Sequence, residues 1–273
     1  MNNALKKAVE KINQLPTIPE VAQRVLGAID SEHTSTSELE SIIVNDPTIA
    51  SKVLSVSRTT FFGGNKPPES IKEAIVRIGF GNVKNIAVGI SLMTLFDDKK
   101  RHLLDYETIF KHSLDVAYVT AIINRKLKVQ SKGDIFLSAL LHDIGYLAIN
   151  CYFQEQYKEV LKECLAGSQL SDAEVHVLGF THSEIGAWLA SVWKLPEVVI
   201  EVIKCHHDIS GSKNFSREVA LIHIADFIAA NAFFYVFKND NSLNINKIAL
   251  KEFNLNEEEV AKLQLEVIET SFT

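Results

Sequence analysis

The chain has 273 residues, 47% of them hydrophobic and 23% charged, a composition that excludes a disordered polymer and leaves room for one large core or two smaller ones. Its net charge of −6 comes from the residues after position 100, and no segment carries the dense Lys/Arg stripe needed to neutralise a phosphate backbone, which argues against nucleic acid as a partner. The three cysteines (Cys151, Cys164, Cys205) are odd in number and lack close-paired spacing, so they read as reduced thiols of a cytoplasmic protein.

Helical periodicity recurs from end to end, without a convincing alternating strand pattern, so an all-α fold is expected. The opening MNNALKKAVEKI is amphipathic rather than a basic-then-apolar leader, with Ala4, Leu5, Ala8, Val9 and Ile12 on one stripe. Pro19 suits a first helical turn, followed inward by Val21, Ala22, Val25, Leu26 and Ile29. Ser37 with Glu40 resembles a capping box ahead of Ile42 and Ile43, and Asp46-Pro47 is a cap followed by proline at the first helical position. FFGGNKPP (61–68) reads as a loop. Ser70 and Glu73 open a further helix, which Gly79-Phe80-Gly81 ends, and another continues through Ile86 and Ile90 to about Phe96. The charged run DDKKRH (97–102) suggests a boundary, giving an N-terminal helical subdomain at 1–98, a second at 99–238 and a helical extension at 239–273. Helices are expected in this second part at about 105–127, 134–144, 146–165, 171–178, 181–193, 196–207, 216–237 and 256–270. The longest apolar stretch, Val219 to Phe237, is broken by His223, Asp226 and Asn231, which suits a core helix and no membrane span.

Within the second part, ionisable side chains fall on apolar helix faces. Asp226 lies in a helix apolar all round, where an ionised carboxylate without a partner costs several kcal/mol or more. It must be hydrogen-bonded, protonated or bound to a metal. His112 shares a stripe with Ile109, Val116 and Val119, and a satisfied core histidine is its structural alternative. His142-Asp143 ends IFLSALL ahead of Gly145, expected to break the helix. Neighbours in a helix diverge by about 100°, so both reach one ion only near a helix end or as a bridging pair. The alternative is His142 capping the last carbonyls with Asp143 in water. His182 lies on a face with Ile185, Gly186 and Leu189, and Gly186 would admit a close backbone or ligand. His206, with His207 beside it, continues the face of Val199 and Ile203, where a histidine pair also suits a helix C-terminus. His176 and His223 are the other histidines that the pattern places inside. Five helices each aiming His or Asp inward are best reconciled by a shared cation. Imidazole and carboxylate without thiolate favour one or two ions of Fe, Mn, Ni, Zn or Mg, with Cys205 a marginal extra ligand.

The order His112, His142-Asp143, His182, His206-His207, Asp226 resembles the HD superfamily of metal-dependent phosphohydrolases. LPTIPEVAQRVL, NDPTIASKVLSVSRT and SIKEAIVRIGFGNVKNIAV, followed by LLHDIGYLAI, THSEIGAWLASVWKLPEVVIEVIKCHHD and IHIADFIA, look like the HD-related output domain (HDOD) family of bacterial signalling proteins, over roughly residues 10–235. The resemblance implies an N-terminal helical bundle packed on an HD-like bundle, a metal pocket formed by those seven residues, and a regulatory role; a first subdomain without catalytic residues points to action through a signalling protein partner. Active cyclic-dinucleotide phosphodiesterases of the superfamily carry lysine where HDIGY has Tyr146, and a Gly-Tyr-Pro signature where this chain reads DISGSKN. The resemblance therefore implies the metal pocket more strongly than that activity. The enzymatic alternative is hydrolysis of a nucleotide or other phosphorylated small molecule, for which Lys204, Lys132 and Arg125 are distant phosphate contacts.

Overall fold

The structure, a computed structural model, describes residues 2–10, 12, 15–27, 35–59, 67–97, 103–129, 134–233 and 245–272. Among them every regular element is a helix, as the periodicity requires. They form two compact units, Pro16–Leu95 with Ile268–Thr273, and Met1–Leu15 with Phe96–Val267.

The first unit contains α2 (Glu20–Gly27), α3 (Thr36–Val44), α4 (Pro47–Ser57), α5 (Ile71–Ile78) and α6 (Phe80–Met93). Helix α6 is its axis: Val83, Ile86, Ala87, Val88, Ile90, Leu92 and Met93 are wholly buried, and α2, α4 and α5 pack around it. Asp46 caps α4 by accepting from the Thr48 and Ile49 amides, with Pro47 at the first position. The capping box at Ser37 is a correction: the cap is Ser35, which accepts from the Glu38 amide, because Ser37 already lies inside α3. Gly79, at φ +90°, ends α5, and α6 starts at once on Phe80 rather than after a longer turn. The expected loop at 61–68 lies outside the described residues except for its two prolines, as does most of 97–102.

The second unit begins with α1 (Asn3–Val9), which the sequence grouped with the N-terminal subdomain at 1–98. Asn2 caps α1 and donates its side-chain amide to the Gly179 carbonyl at 2.7 Å, and Leu5 is buried. The long helix α7 (Tyr106–Leu127) packs on α8 (Ile135–Leu141) and on α14 (Ser216–Phe233). Asn150 secures the approach to α7, accepting from the amides of Leu103 and Leu104 and donating to the Leu104 carbonyl. Helix α9 (Ile144–Tyr152) lies against α12 (His182–Val192), α10 (Gln154–Leu165) against α11 (Leu170–Leu178), and α13 (Glu197–Cys205) against α8 and α12. One helix expected at 146–165 is thus two, divided at Phe153. After α14 come α15 (Lys247–Glu252), which the sequence pattern did not reveal, and α16 (Glu257–Phe272), tied to α7 by the Lys126–Glu266 ion pair. Residues 135–152 are long and apolar enough to cross a membrane, but 89% of that segment is buried inside the fold.

A candidate metal centre in the second unit

The helix break at the centre of this unit falls on His142 and Asp143, not on Gly145. His142 caps α8, and Asp143 precedes α9 with φ −103° and ψ 14°, a conformation that lets adjacent residues face one point. Gly145 has another purpose. A Cβ there would stand 1.9 Å from the His182 carbonyl oxygen and 3.1 Å from the Gly186 nitrogen, so the two glycines permit α9 and α12 to cross backbone to backbone. That crossing carries His182 to Asp143.

All seven expected residues meet here. His142 and His206 are 0% exposed, and His182, Asp226 and Asp143 are also buried. Their ligand atoms form two groups sharing Asp143. In one, Asp143, His182, His206 and His207 offer atoms within 4.8 Å of one another; in the other, His112, His142 and Asp143 do so. Asp226 joins the second group, its Oδ1 lying 3.1 Å from His112 Nε2 and 3.9 Å from His142 Nε2. Asp143 divides its two oxygens: Oδ2 lies 3.4 Å from His112 and 3.2 Å from His142, and Oδ1 lies 3.4 Å from His206 and 3.7 Å from His182.

Backbone geometry orients the rings. His142 Nδ1 bonds the Ala139 carbonyl at 2.8 Å and His206 Nδ1 bonds the Ile203 carbonyl at 2.9 Å, so in each neutral ring Nδ1 donates and Nε2 keeps its lone pair. Those two Nε2 atoms and Asp143 Oδ1 are buried with no hydrogen-bond partner among the described residues. His182 Nε2 and His207 Nε2 approach to 3.1 Å. Buried acceptors converging without donors are a costly arrangement unless a cation satisfies them. The residues fit a divalent ion.

The charges show the same design. Burial opposes the ionisation of Asp143, but the neighbouring imidazoles, His142 first and then His112 and His206, hold its carboxyl well below the usual carboxylate range when they carry protons toward it. Burial likewise opposes Asp226, and its bond to His112 pulls it down. His112 experiences the reciprocal field: burial alone would lower it, yet Asp143 and Asp226 push it up to about 10. Burial drives His206 and His207 the other way, keeping them neutral and ready to donate lone pairs.

One expectation about the histidines is corrected. His176 is exposed, paired with Glu163 at 2.8 Å, because two residues along a helix turn by about 200° and Glu174 takes the inward face. Glu174 itself was missed, although an acid four residues after Leu170 and next to Ala173 carries the signal that singled out Asp226. His223 is buried as expected, but it holds the backbone: Nδ1 bonds the His206 carbonyl at 2.8 Å and Nε2 accepts from the Asn246 amide at 2.9 Å. Cys205 is buried, burial pushes its thiol up, and it joins neither ligand group. Lys204 and Arg125 are exposed, and Lys132 lies outside the described residues.

The family model of the HDOD domain matches residues 15–209. An uncharacterized protein of Treponema pallidum (strain Nichols) is 27% identical over 213 residues, covering 73% of this chain and 39% of its own length, so the chain spans about two fifths of that relative. Among solved structures, a phosphohydrolase by name from Shewanella amazonensis SB2B superposes with a TM-score of 0.74 at 19% identity, over 99% of this chain and 98% of that one. A Marinobacter aquaeolei VT8 structure named for signal transduction gives 0.74 at 21% identity, over 99% of this chain and 63% of the other. At such identities these two likenesses concern the fold.

Proposed function

This chain belongs to the HDOD family, and from that premise we propose that it is a cytoplasmic signal-transduction module whose HD-type pocket holds one or two divalent transition-metal ions and which acts through a protein partner. The metal half of the reading rests on one observation: seven His and Asp side chains from five helical segments converge, and three of their acceptor atoms are buried without donors among the described residues. His112, His142, Asp143 and Asp226 would hold one ion, and Asp143, His182, His206 and His207 the other. The signalling half is supported by what stands beside the ligands. Position 146 carries a tyrosine rather than a phosphate-attracting lysine, and its ring stacks on His182 with centroids 4.0 Å apart. Among the described residues, 16–95 supply none to the ligand groups, which leaves that unit for a partner.

The test is an assay of the protein, supplied with Mn2+ or Fe2+, against a panel of nucleotides, cyclic dinucleotides and simple phosphoesters. No turnover above that of the free ions is expected. Metal-dependent hydrolysis at ordinary enzymatic rates would contradict the proposal and favour a second reading, a metal-dependent phosphohydrolase. One observation supports that alternative, the sharing of Asp143 between the two groups, because two ions held side by side there would suit phosphoryl transfer. Ions bound there would supply Lewis acidity toward a phosphoryl oxygen. The chain would bind and orient them through the seven side chains.

A further inference from the structure

Glu174 is 0% exposed, as deeply buried as any acid among the described residues, and it lies outside the ligand set. A carboxylate in such a place must be fully hydrogen-bonded or neutralised. Each of its hydrogen bonds among the described residues goes to His182. Oε2 accepts from the His182 backbone amide at 3.0 Å, and the two oxygens lie 2.8 and 3.1 Å from His182 Nδ1.

A helix cap is the plain alternative, since His182 is the first residue of α12. That helix already has one: Thr181 accepts from the Glu184 amide, and Glu184 accepts from the Thr181 amide. The ring contact is left over once capping is accounted for. It also differs from the arrangement at His142 and His206, whose Nδ1 atoms bond neutral backbone carbonyls. His182 alone of these three has its Nδ1 held by an acid.

We propose that Glu174 is a positioning residue of the metal centre, completing a carboxylate–histidine–metal relay that rests on the metal reading above. By accepting the Nδ1 proton of His182, Glu174 fixes the tautomer in which Nε2 carries the lone pair. That Nε2 is 3.1 Å from His207 Nε2 and 3.7 Å from Asp143 Oδ1, within the group that shares Asp143. The anion also raises the basicity of the imidazole, strengthening it as a ligand. Tyr146, stacked on the same ring, restrains its tilt.

The test compares wild type with Glu174→Gln, using Zn2+ as the probe in competition with a chelator, alongside the ring-nitrogen NMR shifts of His182 in chelated wild-type protein. Glu174→Gln keeps the volume and one acceptor but loses the charge. It is expected to weaken Zn2+ about 10–100-fold while the chelated variant melts close to wild type. The NMR shifts are expected to show the proton on Nδ1. Binding of Zn2+ by Glu174→Gln within twofold of wild type, or a His182 proton on Nε2, would overturn the role given to Glu174. Should the variant fail to fold, the wild-type tautomer decides alone. A wild type that takes up no Zn2+ at all overturns the metal reading itself, a separate failure from these.

Discussion

His112 and His207 share one pocket yet are driven in opposite directions, His112 up to about 10 by two carboxylates and His207 well below 6.5 by burial among other rings. The consequence for metal-free protein is a stability optimum. His112 contributes fully below its unfolded value of 6.5, and that contribution is lost as pH rises through about 10. The lowered His206, His207 and His223 contribute fully above 6.5 and lose it as pH falls, because the unfolded chain then binds protons the fold refuses. Asp143 and Asp226, both depressed, add a further loss as pH falls below their unfolded value of 3.8. Melting in chelator across pH 4–10 should therefore peak near pH 6.5, and a steady rise from 6.5 to 9 would contradict the His112 pairing. Asp226→Ala is the companion change. It removes the partner 3.1 Å from His112, so metal content should fall while the fold is retained, whereas lost stability with metal content unchanged would mark Asp226 as merely a buried acid. Asp226 was legible in the sequence because a carboxylate inside an all-apolar helix has to be paired, protonated or metal-bound. Glu174 carried the same kind of signal, but in a shorter helix with polar neighbours, where an acid more often faces water.

Helix boundaries were less legible than helix existence, and the reasons are local. Ser35 and Ser37 both have a glutamate three positions on, so the pattern admits two caps, and only backbone geometry selects Ser35. Ser35→Ala should cost about 1 kcal/mol in chemical denaturation and Ser37→Ala much less; equal effects would contradict the assignment. The break between α8 and α9 was expected at Gly145, on the rule that glycine ends helices. What glycine supplies here is room, since a Cβ would stand 1.9 Å from the His182 carbonyl oxygen. Gly145→Ala must push α9 from α12, so it should destabilise by about 1–3 kcal/mol or more and weaken metal binding together. A stable Gly145→Ala variant with normal metal affinity would show that the crossing does not hold the site. Helix α15 left no clear trace in the sequence because six residues are too few for a periodic stripe to stand out.

At the scale of the whole chain, the all-α class followed from periodicity, while the division into units did not follow from charge alone. Residues 2–9 look like the start of the N-terminal bundle, yet the Asn2 bond to Gly179 joins them to the second unit, a link 177 residues long in sequence that no local pattern displays. The ligand set is equally non-local. It draws on α7, the α8–α9 junction, α12, the end of α13 and α14, and Asp226 lies beyond residue 209, where the family match ends. His223 ties this late segment to the centre, bonding the His206 carbonyl on one side and the Asn246 amide on the other. Binding an ion that the unfolded chain cannot hold should stabilise the fold by about 2.7 kcal/mol at a hundredfold excess over Kd. The most direct measurement is the metal content of protein purified without chelator or histidine tag, followed by titration with Mn2+, Fe2+ and Zn2+ after chelation. One or two divalent ions per chain are predicted, with a raised melting temperature on reloading. Protein that is metal-free as isolated and takes up none of these ions would contradict the account.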